Sequence, residues 1–230
     1  MIKSSLNAAT IHAPVLLVAV RADDATIGCG GLIAELLQLP DRNIEVVIMS
    51  SDSPSRPRPA AEASWRYLKE RERAALDALE VLGLASPQVT FWRSAFSLSV
   101  SEGPEFTTSA ERAIAHLHKM GPATLVLPSQ IDARPDHRAA NAVWASAIRG
   151  FRVPPVVLEY MIWSNSDAAS PGIVFGLDIG NVLPIKRKAI AEHRSRLHGI
   201  ESADLVAGNL PESVLEAAQK PVEIYFGPAP

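Results

Sequence analysis

The stretch Val15-Leu-Leu-Val-Ala-Val-Arg-Ala-Asp-Asp-Ala-Thr-Ile-Gly-Cys-Gly-Gly31 decides how the rest of the chain is read. Val15 to Val20 is an unbroken apolar run rich in valine, the mark of a strand buried on both faces. It empties into two adjacent acids, Asp23 and Asp24, and then into Gly28-Cys29-Gly30-Gly31, a glycine-rich opening for a helix. In an open α/β sheet, the carboxyl end of a strand and the helix mouth behind it are where reactive groups converge. The same stretch therefore speaks for a fold and for a site.

Working outward, four more short apolar runs have strand character: Ile44 to Met49, Val89 to Trp92, Thr124 to Leu127 and Val156 to Tyr160. Helical patterns lie between them, over Gly31 to Leu39, Ala60 to Leu82, Ser109 to Met120 and Arg138 to Arg149. In the second of these, Leu68, Ala75, Leu79 and Leu82 recur at helical spacing, and Gly83 follows as a C-terminal cap. Strand and helix in alternation predict an α/β fold, a Rossmann-like three-layer sandwich with a mostly parallel sheet, spanning residues 1–230 as a single domain. Further on, Ile173 to Ile179 reads as a strand and Leu183 to Leu197 as a basic amphipathic helix. Val222 to Phe226 reads as a last strand, which Pro221 puts at the sheet edge. Ser50 to Pro59 and Ser94 to Thr108 read as long loops leaving strand ends, either as pocket walls or as plain surface loops. There is no internal repeat and no low-complexity tract.

Composition narrows the function. Hydrophobic residues make up 47% of the chain and charged residues 20%, as in an ordinary globular protein with a substantial core. A net charge of −3 and the lack of a broad Lys/Arg face speak against nucleic-acid binding. One cysteine excludes an intrachain disulfide framework and a cysteine-cluster metal site, and makes a reducing, cytoplasmic setting the expectation. The first residues do not read as a signal peptide, and no apolar run approaches the ~20 residues of a membrane span.

A second marker follows the fourth apolar run: Leu127-Pro-Ser-Gln-Ile-Asp-Ala-Arg-Pro-Asp-His-Arg-Ala139. A third, weaker one joins Asp178-Ile179, Lys186 and Ala189 to Arg196. Together the three patches, from about Val15 to Leu197, resemble the PIG-L/LmbE-like zinc-dependent de-N-acetylase family. That family usually opens with His-Pro-Asp-Asp-Glu and a Gly-Cys-Gly-Gly-like turn, continues with Asp and His-x-Asp-His, and ends in His-x-Ser-Gln. Here Asp23, Asp24, Asp132, Asp136 and His137 match, while Arg21, Ala22, Ala25 and Arg134 depart from the pattern.

The resemblance implies hydrolysis of an acetamide on an N-acetylated amino sugar or its conjugate by metal-activated water. Carried over, Asp24 and His137 are metal ligands, Asp23 is the general base, and Arg134 is the oxyanion partner beside Asp136. Arg21 and His193 face the substrate. Catalytic zinc takes three protein ligands and an open position, and Arg21 stands where the third ligand belongs. A guanidinium is permanently protonated and has no lone pair to give. Zinc is therefore expected weakly or not at all, unless a carbonyl, a loop histidine or a neighbouring copy in a homo-oligomer completes the shell. Two functions follow: a deacetylase with an impaired or altered metal site, or an inactive member that binds a sugar-like or anionic ligand or partners another enzyme. Arg21 either pairs with the aspartates in place of the zinc charge or presents a fork to an anion.

Other residues carry less. Cys29 reads as a small buried residue rather than a nucleophile, and the glycines beside it as close packing rather than a phosphate cradle. His116 and His118 point in different directions on one helix and make a poor ligand pair. Lys186-Arg187-Lys188, with Arg194 and Arg196, reads as a solvated helix face. Trp65, Trp92, Trp144 and Trp163 read as core or boundary residues, with sugar stacking as the alternative.

Overall fold

The structure, a computed structural model, describes residues 2, 4–50, 61–94, 103–163, 172–193 and 210–228. One sheet holds β1 (Ser4–Leu6), β2 (Val15–Ala19), β3 (Ile44–Ser50), β4 (Val89–Ser94), β5 (Thr124–Pro128), β6 (Val156–Tyr160), β7 (Ile173–Asp178) and β8 (Val222–Gly227). Their order is β1-β7-β8-β6-β5-β2-β3-β4. All neighbours are parallel except β8, which runs antiparallel to both β6 and β7. The helices are α1 (Asp24–Leu37), α2 (Ala61–Val81), α3 (Pro104–Met120), α4 (Pro135–Ile148), α5 (Leu183–Ala191) and α6 (Glu212–Ala218).

Strand β2 shows why its sequence has no polar break. Val15, Leu17 and Ala19 enter a core with residues of α1, α2 and α5, such as Leu32, Leu79 and Ala189. Leu16, Val18 and Val20 enter a second core on the opposite face, with Leu117, Val143 and Trp144 of α3 and α4. Both faces are covered, so alternation has nothing to gain. The result is the three-layer α/β sandwich expected from the alternating pattern.

Three boundaries differ from expectation. Helix α1 begins at Asp24, not Gly31, so the glycines lie inside it. An acid in the first turn suits the helix dipole there. The glycines serve close approach: a Cβ on Gly28 would stand 2.5 Å from the Tyr160 ring, and one on Gly31 2.5 Å from Ile179. Helix α3 starts at Pro104, inside the span read as a loop, with Gly103 before it and Glu105 in its first turn. Strand β8 is interior rather than at the edge. Pro221 precedes the first ladder residue, Val222, and offers only its carbonyl, to Ile179 N at 2.8 Å, so its missing N–H costs the sheet nothing.

Lys186 is also corrected. It is buried rather than solvated, and its Nζ donates to Glu223 Oε1 at 2.7 Å. Glu223 further accepts from Gly31 N, Leu32 N and Tyr225 OH, tying β8, α1 and α5 together. Arg194 and Arg196, most of Ser50 to Pro59 and residues 95–102 lie outside the described residues. The chain passes from β2 to β3 on one side and later returns to β5 on the other. The crevice beyond the carboxyl ends of β2 and β5 is thus a topological switch point, where α/β sheets bind ligands.

Candidate functional site at the β2 and β5 strand ends

Both sequence markers reach this crevice. After β2 the chain turns tightly: Asp24 Oδ2 accepts from Arg21 N at 2.7 Å, and Asp24 N donates to Arg21 O at 3.2 Å. After β5, Asp132 organises the opposite wall. Its Oδ1 accepts from Arg134 N at 2.9 Å, and its Oδ2 from Ile162 N and Trp163 N, both at 3.2 Å. Buried Glu159 braces the same loop by accepting from Ser129 Oγ, Gln130 N and Asn141 Nδ2. Helix α4 then starts at Pro135, with Asp136 and His137 in its first turn.

His137 is wholly buried between two acids. Its Nε2 lies 3.2 Å from Asp24 Oδ2 and its Nδ1 3.3 Å from Asp132 Oδ2, neither with the alignment of a hydrogen bond. Burial alone would lower the pKa of the ring, but Asp24 and Asp132 outweigh it and push His137 up to about 10. The floor is completed by Asp23, whose Oδ1 accepts from Arg71 Nη2 of α2 at 2.6 Å, both side chains 1% exposed.

The rim is built differently. Asp136 receives two guanidiniums: Arg21 Nη2 at 2.7 Å and Arg134 through Nε at 2.9 Å and Nη2 at 3.0 Å. Burial opposes the ionisation of Asp136, yet the two arginines hold it well below the usual carboxylate range. The Arg134 guanidinium stacks over the Trp163 ring, 5.3 Å from its centroid. Arg21 thus sends its side chain to Asp136, while only its backbone N reaches Asp24.

This donor set can be tested against zinc. Two ligands of one tetrahedral zinc stand about 3.3 Å apart, close to the Asp24–His137 separation. A third donor is lacking: among the described residues no group of three His, Cys, Asp or Glu is arranged to hold a metal ion. An imidazolium must also shed its proton before it can ligate. The described residues fit two corners of a zinc site and not the third.

The chain matches the sequence profile described as PIG-L: GlcNAc-PI de-N-acetylase over residues 16–148. The chain belongs to the PIG-L family. No curated protein matches it significantly in sequence. Among solved structures it is similar to the zinc-inhibited form of teicoplanin deacetylase Orf2, with a TM-score of 0.69 at 13% identity, covering 92% of this chain and 96% of that one. It is also similar to the conserved protein TT1542 from Thermus thermophilus, with a TM-score of 0.67 at 21% identity over 95% and 96% of the two chains. A third is N,N'-diacetylchitobiose deacetylase from Pyrococcus horikoshii complexed with its inhibitor MPG, with a TM-score of 0.61 at 16% identity over 88% and 72%. At these identities the likeness establishes the fold. Among the described residues, no helix of this PIG-L member is long and apolar enough to cross a membrane.

Sequence reasoning missed two residues of this crevice. Arg71 carries a legible signal: it falls on the helical stripe of Leu68, Ala75 and Leu79, where a charge needs a buried partner. Glu159 sits within an apolar strand, a similar hint. Trp163, read as a core or boundary residue with sugar stacking as the alternative, is a half-buried boundary residue under the Arg134 guanidinium. His193 is fully buried, with Nε2 3.1 Å from Thr26 Oγ1 on α1. Cys29 is buried, and burial pushes its thiol pKa up, which suits packing. His116 lies 3.1 Å from Glu45 and edge-on to Trp92 and Trp144, while His118 stacks on Phe151.

Proposed function

We propose that this chain is a de-N-acetylase-type protein for N-acetylated amino sugars or GlcNAc-type conjugates, and that its hydrolytic centre is altered and weakened by Arg21 and Arg134. Membership of the PIG-L family supports the substrate class. The observation that carries the alteration is the convergence of two guanidiniums on Asp136 beside the Asp24–His137 pair. In this reading Asp24 and His137 form the residual metal-facing pair, and Asp23 is a base restrained by Arg71. Arg21 and Asp136 supply fixed charge at the ligand, and Arg134 meets a ligand oxygen. His193 acts from beneath, through Thr26.

Each feature works against acetamide hydrolysis. Water that no metal activates keeps a pKa near 15.7, against ~7 on a catalytic zinc. A guanidinium neutralises an oxyanion well but is a poor proton donor to a leaving amine. A second reading, an active hydrolase, is favoured by the Asp24–His137 spacing, which suits two ligands of one ion once a further donor joins them.

Metal analysis and acetate release separate the two. We expect purified protein to hold zinc well below one equivalent and to release little acetate from N-acetylglucosamine conjugates, while Arg21→His raises zinc content. Stoichiometric zinc with chelator-sensitive acetate release by the unaltered protein would overturn the weakened-centre reading. Unchanged zinc content in Arg21→His would remove Arg21 from the metal position.

A further inference from the structure

The ladder between β6 and β8 is short. It joins Glu159 to Phe226 and Tyr160 to Tyr225, whereas β8 stays paired with β7 as far as Val222. Beyond Tyr160 the chain leaving β6 turns away, because the N–H groups of Ile162 and Trp163 go to the Asp132 carboxylate. Helix α6 lies over the gap, its Val214 and Ala218 in one apolar cluster with Ile27 of α1. The small side chain of Ala218 does not fill it. A cavity of about 200 Å³ remains, walled by Ile27, Ile162, Val214, Ala218, Val222 and Ile224.

Two charged residues share this wall, and they differ. Glu223 is saturated: its Oε1 accepts from Gly31 N and Lys186 Nζ, and its Oε2 from Leu32 N and Tyr225 OH. Four donors use up the lone pairs of a carboxylate, so Glu223 has no acceptor left for a ligand. Lys220 is exposed, and among the described residues its ammonium has no ion-pair or hydrogen-bond partner. A lysine so placed lays its stem on apolar surface and keeps its charge at the water. Ile224, 37% exposed, marks the same opening. Apolar walls with one cation at the mouth suit a hydrocarbon chain that ends in an anion. They do not suit a sugar, whose hydroxyls would be buried unpaired. Size limits the chain: an apolar cavity of about 150 Å³ takes benzene, so about 200 Å³ takes about six carbons.

We propose that this cavity is a second binding site, for a free aliphatic carboxylate of about six carbons. Its chain lies between α6 and the splayed strands, and its carboxylate meets Lys220. The site is separate from the crevice and independent of the amino-sugar reading. The two are close neighbours all the same. Ile162 N, which holds Asp132, and Ile27 N, which donates to Asp23 O, belong to residues of the cavity wall.

The test follows the δ1-methyl signals of Ile27, Ile162 and Ile224 by NMR, each assigned by its loss in Ile27→Val, Ile162→Val or Ile224→Val. Butyrate, hexanoate, octanoate and decanoate are added at low salt, with hexanol as the neutral control. We expect hexanoate to shift all three signals. Affinity should rise about fourfold per methylene from butyrate to hexanoate, then level off as further carbons find no wall. Hexanol should bind several-fold more weakly, and Lys220→Gln should bring hexanoate down to the hexanol level. Ala218→Leu, which fills the cavity, should weaken hexanoate about tenfold or more. Ile224→Trp, at the exposed mouth, should do the same and replaces Ala218→Leu where circular dichroism shows that variant misfolded. Arg134→Gln should leave the binding as it is. Signals unmoved by every acid, affinity that ignores chain length, or hexanol as tight as hexanoate would overturn the proposal. So would shifts that survive the filling variants or vanish in Arg134→Gln, since the acid then sits elsewhere.

Discussion

Asp132 and Asp136 lie one helical turn apart in sequence, yet they belong to two different regions. Asp132, fully buried, is wrapped by the backbone N–H groups of Arg134, Ile162 and Trp163 and faces the His137 ring. Asp136 is held by two arginine side chains whose outer parts reach solvent. Neutral backbone donors satisfy most of the Asp132 carboxylate, and its one charged neighbour is the buried His137 ring, so the Asp132 region acts as scaffold for the floor. Asp136 is held instead by charged side-chain donors, so its region is made of ion-paired groups close to solvent. The comparison teaches that two acids of one short marker can be held in unlike ways, one by backbone N–H groups and one by guanidiniums.

The floor should be costly to disturb. Arg71 and Asp23 are an ion pair buried away from water, and removing one partner strands the other charge. Arg71→Leu is expected to destabilise the protein by about 3–5 kcal/mol, measured by urea unfolding. Adding Asp23→Leu to that variant should recover part of the loss, because the buried Asp23 charge is then gone as well. A single-variant cost below about 1 kcal/mol, the range of exposed pairs, would place Arg71 with the rim and break the distinction.

Floor and rim should also titrate at opposite ends of the pH scale. Burial works against a charged His137, but the carboxylates of Asp24 and Asp132 win and push it up to about 10 from an ordinary 6.5. A folded-state pKa above the unfolded one gives stability that is full below about pH 6.5 and lost as pH rises towards 10. In chelator-treated protein, unfolding free energy should fall across that window with a slope approaching about 1.4 kcal/mol per pH unit, several kcal/mol in all. His137→Gln should flatten the slope. Asp136 has the opposite sign. Burial opposes its charge, the arginines outweigh burial, and its contribution is present above the usual carboxylate range and lost only in acid.

How much of this was legible before the fold was seen follows from the range of each interaction. Val15 to Val20 and the acids after it gave the central strand and the site because both are local signals. The meeting of Asp24 with His137 was legible only through the resemblance to a family, since 113 residues separate them. The Arg71–Asp23 pair rests on a helix packing that no short pattern specifies, although an arginine on an apolar stripe hinted at a buried partner. The burial of Lys186 escaped because its neighbours Arg187 and Lys188 look like a solvated face, and only Glu223 on a distant strand explains it. The interior place of β8 escaped for the same reason: antiparallel insertion between β6 and β7 is a long-range choice, and Pro221 lies just outside the ladder.

The smallest expected effect is the sharpest check on the rim. Arg134 is 30% exposed, and Arg21 remains on Asp136 when it is removed. Arg134→Gln should therefore cost under about 1 kcal/mol of stability, the usual range for exposed ion pairs. Its stacking on Trp163 adds little to that figure at a partly open position. A loss as large as that of Arg71→Leu would mean that Arg134 is held for the fold, with no guanidinium edge to spare for a ligand. A small loss would show that the fold does not depend on Arg134, as the role proposed for it at a ligand oxygen requires.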